Sequence, residues 1–183
     1  MSRSAAGWRK VDEVPFDFER RRISVLLDAG DHRLLVVKGA LEDIAHLSTS
    51  YEGDGPDDLR PLDDDARRRI ARQFADLSAD GFRVLGIAWR AVPTSHEHAV
   101  IGDETTLVFA GFAAFLDPPK ESAAAALQAL AADGVAVKVV TGDNELVTAH
   151  VCRRLALPVA GVLTGAQVAA MDDQALAAVV DET

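Results

Sequence analysis

A mixed α/β fold is predicted for this chain, and three observations carry the prediction. Short runs of branched apolar residues, divided by turn residues, recur through the first half. Stretches with apolar residues three and four apart stand between those runs. From Leu107 onward, across Asp117-Pro118-Pro119-Lys120, the order strand, helix, strand, helix argues for a parallel sheet with helices on its faces.

The elements follow in order. Met1 to Lys10 is polar and irregular, and from Val11 the pattern becomes β-like. Ile23 to Leu27 and Leu34 to Lys38 are short apolar runs separated by Asp28-Ala29-Gly30-Asp31, a hairpin with Gly30 supplying the turn dihedral. Gly39 leads into a helical stretch marked by Leu41, Ile44 and Ala45. Tyr51 to Pro61 holds Gly53, Gly55, Pro56 and four acidic residues, so it reads as an exposed loop. A helix is expected from about Asp63, where aspartates suit the positive end of the dipole. Ala66, Ile70, Phe74 and Leu77 mark its buried face, Arg67, Arg68, Arg69 and Arg72 its solvent side, and Gly81 its end.

Phe82 to Val92 is a strand and Pro93 to Thr105 a polar loop. Leu107 to Leu116 is apolar nearly throughout, the mark of a central strand. Ser122 to Ala132 is an alanine-rich helix closed by Gly134, Val135 to Val140 a buried-type strand, and Asn144 to Leu155 a helix. Met171 to Thr183 carries a last helical pattern. Two consecutive prolines make a stiff, unpaired connector, so the domain boundary is set there, giving 1–116 and 117–183.

Composition narrows the function. The chain has 183 residues, 49% of them hydrophobic and 26% charged, as expected of a folded domain. Its net charge of −10 disfavours nucleic acid and anionic lipid, so an anionic ligand needs a local cluster of positive groups. Leu107 to Leu116 is the longest uncharged apolar run, far short of the roughly 20 residues that span a bilayer. The single cysteine, Cys152, lies at helical spacing and reads as a buried thiol.

Several segments have the residue types of a phosphate or nucleotide site. Thr141-Gly142-Asp143-Asn144 joins an expected strand end to a helix start, where ligands of open α/β sheets sit and free N–H groups meet anions. Taken alone it is equally a helix cap. Lys38-Gly39-Ala40 places an ammonium at a strand end beside a glycine that permits close approach. Phe16-Asp17-Phe18-Glu19-Arg20-Arg21-Arg22 sets two aromatics beside three arginines, suited to stacking and to gripping oxygens, or to a core phenylalanine with a solvated basic edge. Arg83 begins an otherwise apolar strand and calls for a partner, either a ligand or an ion pair. His96-Glu97-His98 has no third metal ligand near it and reads as a solvated loop. No metal site is assigned. No Gly-Lys dipeptide exists, which excludes a P-loop.

In this order the segments resemble the P-type cation-transporting ATPase family, from about Val11 onward. Pro15 to Ser24 is similar to its adenine segment, Lys38-Gly39-Ala40 to its nucleotide-domain lysine motif and Gly81-Phe82-Arg83 to its nucleotide-contacting arginine. Asp117-Pro118-Pro119-Lys120 is similar to the hinge, and Thr141-Gly142-Asp143 to the phosphorylation-domain loop beside the transferring phosphoryl group. The wording Phe16 to Arg22, Lys38-Gly39-Ala40-Leu41 and Thr141 to Val147 is most similar to the bacterial magnesium-transporting subgroup.

The resemblance implies an α+β nucleotide-binding domain over 1–116, N-terminally truncated, with an antiparallel sheet and flanking helices. Over 117–183 it implies part of a Rossmann-like phosphorylation domain of the haloacid-dehalogenase type. It implies ATP or ADP as ligand, with Mg²⁺ accompanying the nucleotide. Nucleotide-binding residues would be Phe18, Arg20, Lys38, Gly39 and Arg83, the hinge Asp117, Pro118 and Pro119, and the phosphoryl segment Thr141, Gly142 and Asp143. The family's Asp-Lys-Thr-Gly-Thr motif does not occur in the sequence. The chain is therefore expected to bind nucleotide without turning it over, as the cytosolic portion of an inner-membrane pump completed by phosphorylation, actuator and transmembrane domains. Two other functions are open: a separately encoded nucleotide-binding or regulatory module, and a haloacid-dehalogenase-like phosphatase.

Overall fold

The computed structural model describes residues 7–55, 58–180 and 183. The irregular lead expected over Met1 to Lys10 thus lies partly outside the described residues, and its last two residues begin the first strand. The chain divides into two compact units: residues up to Phe74 with Val84–Ala114, and Ala75–Arg83 with Phe115–Thr183.

In the first unit, β1 (Arg9–Asp17), β2 (Arg22–Asp28) and β3 (Arg33–Gly39) run antiparallel. Gly30 adopts φ +94° in the β2–β3 turn, and the Asp28 carboxylate accepts its N–H at 2.8 Å. Helix α1 (Leu41–Leu47) follows β3. The short strands β4 (Ser48–Glu52) and β5 (Leu59–Pro61) form the next pair. The loop expected over Tyr51 to Pro61 is therefore a hairpin at both ends, its polar residues suited to an edge. Helix α2 (Asp64–Ala79), β6 (Phe82–Val92) and β7 (Leu107–Leu116) complete the sheet, in the order β1-β2-β3-β6-β7-β4-β5. All registered pairs are antiparallel except β4 with β7.

One face of this sheet is dry. Leu26, Leu35, Val37 and Ala88 are buried on this face and pack with Ile44 of α1 and Ile70 of α2. Full burial of a Leu or Ile side chain stabilises by about 1.5–3 kcal/mol, so this cluster orients both helices. Asp63 caps α2, accepting the Ala66 N–H at 2.8 Å. Arg67 departs from the expected solvent side: it is half-buried and donates to the carbonyls of Ala45 and Ser48 at 2.6 and 3.0 Å. It thereby ties α2 to the C-terminal end of α1, where the Ala45 carbonyl also accepts the Ser48 N–H. β7 is an interior strand, as its composition predicts.

The second unit contains α3 (Ser122–Ala132), α4 (Glu145–Arg154), α5 (Gly165–Ala169) and α6 (Asp173–Val180). Gly81 closes α2 at φ +90°, and the His150 ring lies 2.6 Å from where a Cβ would stand. Cys152 is buried, as expected. The strand expected over Val135 to Val140 does not form, and Val140 is 96% exposed. Apolar residues suit a buried strand, but a strand exists only where a neighbour supplies the ladder. Among the described residues no strand lies wholly within this unit. No helix of the described residues is long and apolar enough to cross a membrane.

Candidate functional site

In the first unit the candidate site is built where β1 turns into β2. The Asp17 carboxylate accepts the N–H groups of Glu19 and Arg20 at 2.9 and 2.8 Å, and the Asp17 carbonyl accepts that of Arg21 at 2.7 Å. This closes a tight turn in which Arg21 adopts φ +49°, a left-handed conformation costly for a side chain with a Cβ. Phe18 stands out from the turn, 89% exposed, with Phe16 edge-to-face against it at 5.2 Å between centroids. An exposed aromatic pair of this kind offers a stacking surface.

Lys38 and Gly39 lie beside the start of β2, opposite Ile23 and Arg22 respectively. Lys38 is exposed between buried Val37 and buried Gly39, so the pleat directs its ammonium to solvent. Gly39 is required by contact: an added Cβ would stand 2.5 Å from Arg22 Cβ and 2.6 Å from the Arg21 carbonyl. The Ala40 N–H donates to that same carbonyl at 3.1 Å. The structure therefore gathers Phe18, Arg20, Lys38 and Gly39 around one strand turn.

Arg20 is already engaged. Its Nη1 donates to both carboxylate oxygens of Glu104 at 2.8 and 2.9 Å, and its Nη2 to the Pro15 carbonyl at 2.8 Å. Arg22 Nε donates to the same carboxylate at 2.6 Å, and the buried Ser24 hydroxyl donates to it as well. Glu104 is only 2% exposed and lies between a short 3₁₀ turn (Ile101–Asp103) and β7. Burial pushes its carboxyl pKa up, but hydrogen bonds from Ser24, Arg22 and Arg20 outweigh this and hold it below the ordinary value. Glu104 falls in the stretch expected to be a polar loop, Pro93 to Thr105, and is not among the residues the sequence singles out. Three adjacent arginines demanding a counter-charge were the available signal, with nothing to say which carboxylate answers.

That loop is a tied structure. Arg33 donates to the His96 carbonyl at 2.6 Å and Arg90 to the Asp103 carbonyl at 3.0 Å. His96 Nε2 lies 2.9 Å from the Asp103 carboxylate, and Asp12 accepts the Ala99 N–H at 3.0 Å. The histidines of the expected solvated loop are thus paired with acids, His98 lying 3.4 Å from Asp12.

In the second unit, Asn144 caps α4, its carboxamide accepting the Leu146 N–H at 2.8 Å. Thr141 Oγ1 accepts the Asp143 N–H at 3.0 Å. The Asp143 carboxylate is left for Arg83, whose Nη2 meets it at 2.9 Å. Arg83 also lies 3.9 Å from the exposed Asp117, beside Pro118 and Pro119. The capping reading of this segment is therefore met by Asn144 alone. Thr141 and Gly142 are exposed.

Residues 1–122 match the family model described as P-type ATPase, cytoplasmic domain N. The chain belongs to the P-type ATPase family. It is similar to the "Magnesium-transporting ATPase, P-type 1" of Salmonella typhimurium strain LT2, 44% identical over 178 residues, covering 96% of this chain and 19% of that protein. The protein of the same name in Escherichia coli K12 is 41% identical over 180 residues, covering 98% and 20%. The "Calcium-transporting ATPase 1" of Yarrowia lipolytica is 31% identical over 175 residues, covering 92% and 18%. Identity is thus higher to these magnesium-transporting relatives, in keeping with the subgroup resemblance of the motifs. The chain spans about a fifth of the length of the relatives it matches.

Proposed function

We propose that this chain is the ATP-holding portion of a pump that couples ATP hydrolysis to cation transport, with Mg²⁺ as the transported ion. The reading is carried by the exposed Phe16–Phe18 pair at the β1–β2 turn and exposed Lys38 near the end of β3, opposite Ile23 of β2, in a P-type ATPase domain. Phe18 stacks on adenine, Lys38 neutralises phosphate oxygens, and Gly39, packed against Arg21 and Arg22, sets the end of β3 against the turn. Arg83 is the remaining proposed contact to ribose or phosphate, whereas Arg20, expected from the resemblance to be another, has both terminal nitrogens held by Glu104 and Pro15 and serves the site by holding the turn. These donors fit a nucleotide: a π-face at one end, an ammonium at the other.

The domain boundary proposed for the pump falls at 116/117, with Asp117, Pro118 and Pro119 as hinge. Thr141, Gly142 and Asp143 line the phosphoryl site of the complete protein. The sequence has no Asp-Lys-Thr-Gly-Thr nucleophile motif. Phosphoryl transfer depends on positioning an in-line nucleophile with charge neutralisation, so this chain binds ATP or ADP without hydrolysing it. Actuator, transmembrane and remaining phosphorylation segments are its partners, placing it on the cytosolic side of an inner membrane.

Calorimetric titration of ATP and ADP into the chain tests the reading, alongside Phe18→Ala and Lys38→Ala. Both substitutions are expected to weaken binding; identical binding by all three proteins rejects it.

A further inference from the structure

We propose that Glu104 is a positioning residue for the nucleotide site, holding the aromatic turn in the shape that presents Phe18. The proposal rests on the nucleotide reading and adds a residue that contacts no nucleotide. One carboxylate takes up the guanidinium groups of Arg20 and Arg22 and the hydroxyl of Ser24, at 2.8, 2.9 and 2.6 Å for the arginine bonds. Arg21, between the two arginines, is the residue at φ +49°.

Thr106, two residues beyond Glu104, is also left-handed at φ +49°. Such backbone persists only where its surroundings over-determine it. Around Arg21 those surroundings are Glu104 holding the arginines on either side, the Asp17 turn behind, the Ala40 N–H on its carbonyl and Asp43 on its guanidinium. A carboxylate accepting from two flanking arginines fixes the path of the chain between them. Phe18 leaves the turn two residues before Arg20, so its direction follows from that path. Buried and 84 residues away in sequence, Glu104 also ties the turn to the start of β7. The arrangement makes Arg20 and Arg22 struts of the turn. Lys38 and Arg21 are the exposed cations there, and Arg21 is paired with Asp43 at 3.0 Å.

The test is titration of the 183-residue chain with both ATP and adenosine. Variants are Glu104→Gln, Glu104→Asp, Phe18→Ala, Lys38→Ala and the double variant Glu104→Gln with Phe18→Ala. Glu104→Gln is expected to weaken ATP and adenosine alike, by about tenfold, equal to about 1.4 kcal/mol. Lys38→Ala weakens ATP alone. Glu104→Asp restores part of the loss. The double variant binds no more weakly than Phe18→Ala, because a residue acting through Phe18 has nothing further to lose.

Wild-type affinity in folded Glu104→Gln, or additive losses in the double variant, overturns the role of Glu104 while leaving the nucleotide reading intact. No effect of Phe18→Ala or Lys38→Ala overturns both. Should Glu104→Gln not fold, Ser24→Ala removes one bond from the same carboxylate. A smaller loss shared by ATP and adenosine then supports the role, and unchanged affinity rejects it.

Discussion

Arg83 and Asp143 face each other at 2.9 Å, pairing an arginine at the start of β6 with the carboxylate just ahead of α4. The family resemblance assigns these two residues to a nucleotide and a phosphoryl group, yet here each is the other's partner. Their side chains are 54% and 36% exposed. An ion pair so open to water contributes about 0–1 kcal/mol. Urea unfolding of Arg83→Ala, Asp143→Asn and the double variant is expected to give a coupling inside that range. A coupling above about 2 kcal/mol would mean the pair is far better shielded than its exposure indicates.

Glu104 has the opposite balance. Glu104→Ala leaves Arg20 and Arg22 without their carboxylate in a largely buried setting, and a loss of about 3–5 kcal/mol is expected. Denaturant titration at neutral pH measures it.

The same residue sets a pH dependence. Its pKa is lowered in the folded chain from the ordinary 4.5, by hydrogen bonds that outweigh burial. Stability from this source is therefore complete above the unfolded value and falls away as pH drops through the folded one. Asp12, Asp28, Asp58 and Asp103 are shifted in the same direction, so the wild type alone cannot isolate Glu104. The stability gap between wild type and Glu104→Gln is expected to be constant from pH 7 to about 5 and to narrow below 4.5. A gap that stays constant to pH 2.5 would show that the charge of Glu104 is immaterial.

Gly39→Ala sets its new methyl against the Cβ of Arg22 and the carbonyl of Arg21, neither of which swings aside as a flexible chain end would. Overpacking of this kind costs about 1–3 kcal/mol. The displaced atoms belong to the turn that carries Phe18, so nucleotide affinity is expected to fall with stability. Thermal unfolding and calorimetry on one preparation check both.

Amide hydrogen exchange is expected to be faster after Lys120 than in β2, β3 and β6. α3, α5 and α6 contain no buried residue, whereas the three strands contribute much of the dry face of the sheet. Few buried contacts mean low-energy local opening. Equal protection in the two regions would contradict this.

Much of the local structure was legible in the residues themselves. The hairpin at Gly30, the cap at Asp63, the glycine stop at Gly81 and the helix after Asn144 are consequences of turn and cap chemistry within a few residues. The order of Phe18, Lys38, Asp117 and Thr141 was enough for the family, since a motif order needs no coordinates. What lay beyond reach was every pairing across distance. Apolar Val135 to Val140 reads as a strand, but only a neighbouring ladder makes one. Thr141-Gly142-Asp143 reads equally as a cap or a phosphate segment, and the fold gave the cap to Asn144 and Asp143 to Arg83. Three arginines in a row announce a need for negative charge. That Glu104 meets it was decided by tertiary structure, because a buried carboxylate is satisfied by whichever donors the chain brings within about 3 Å, however far apart in sequence.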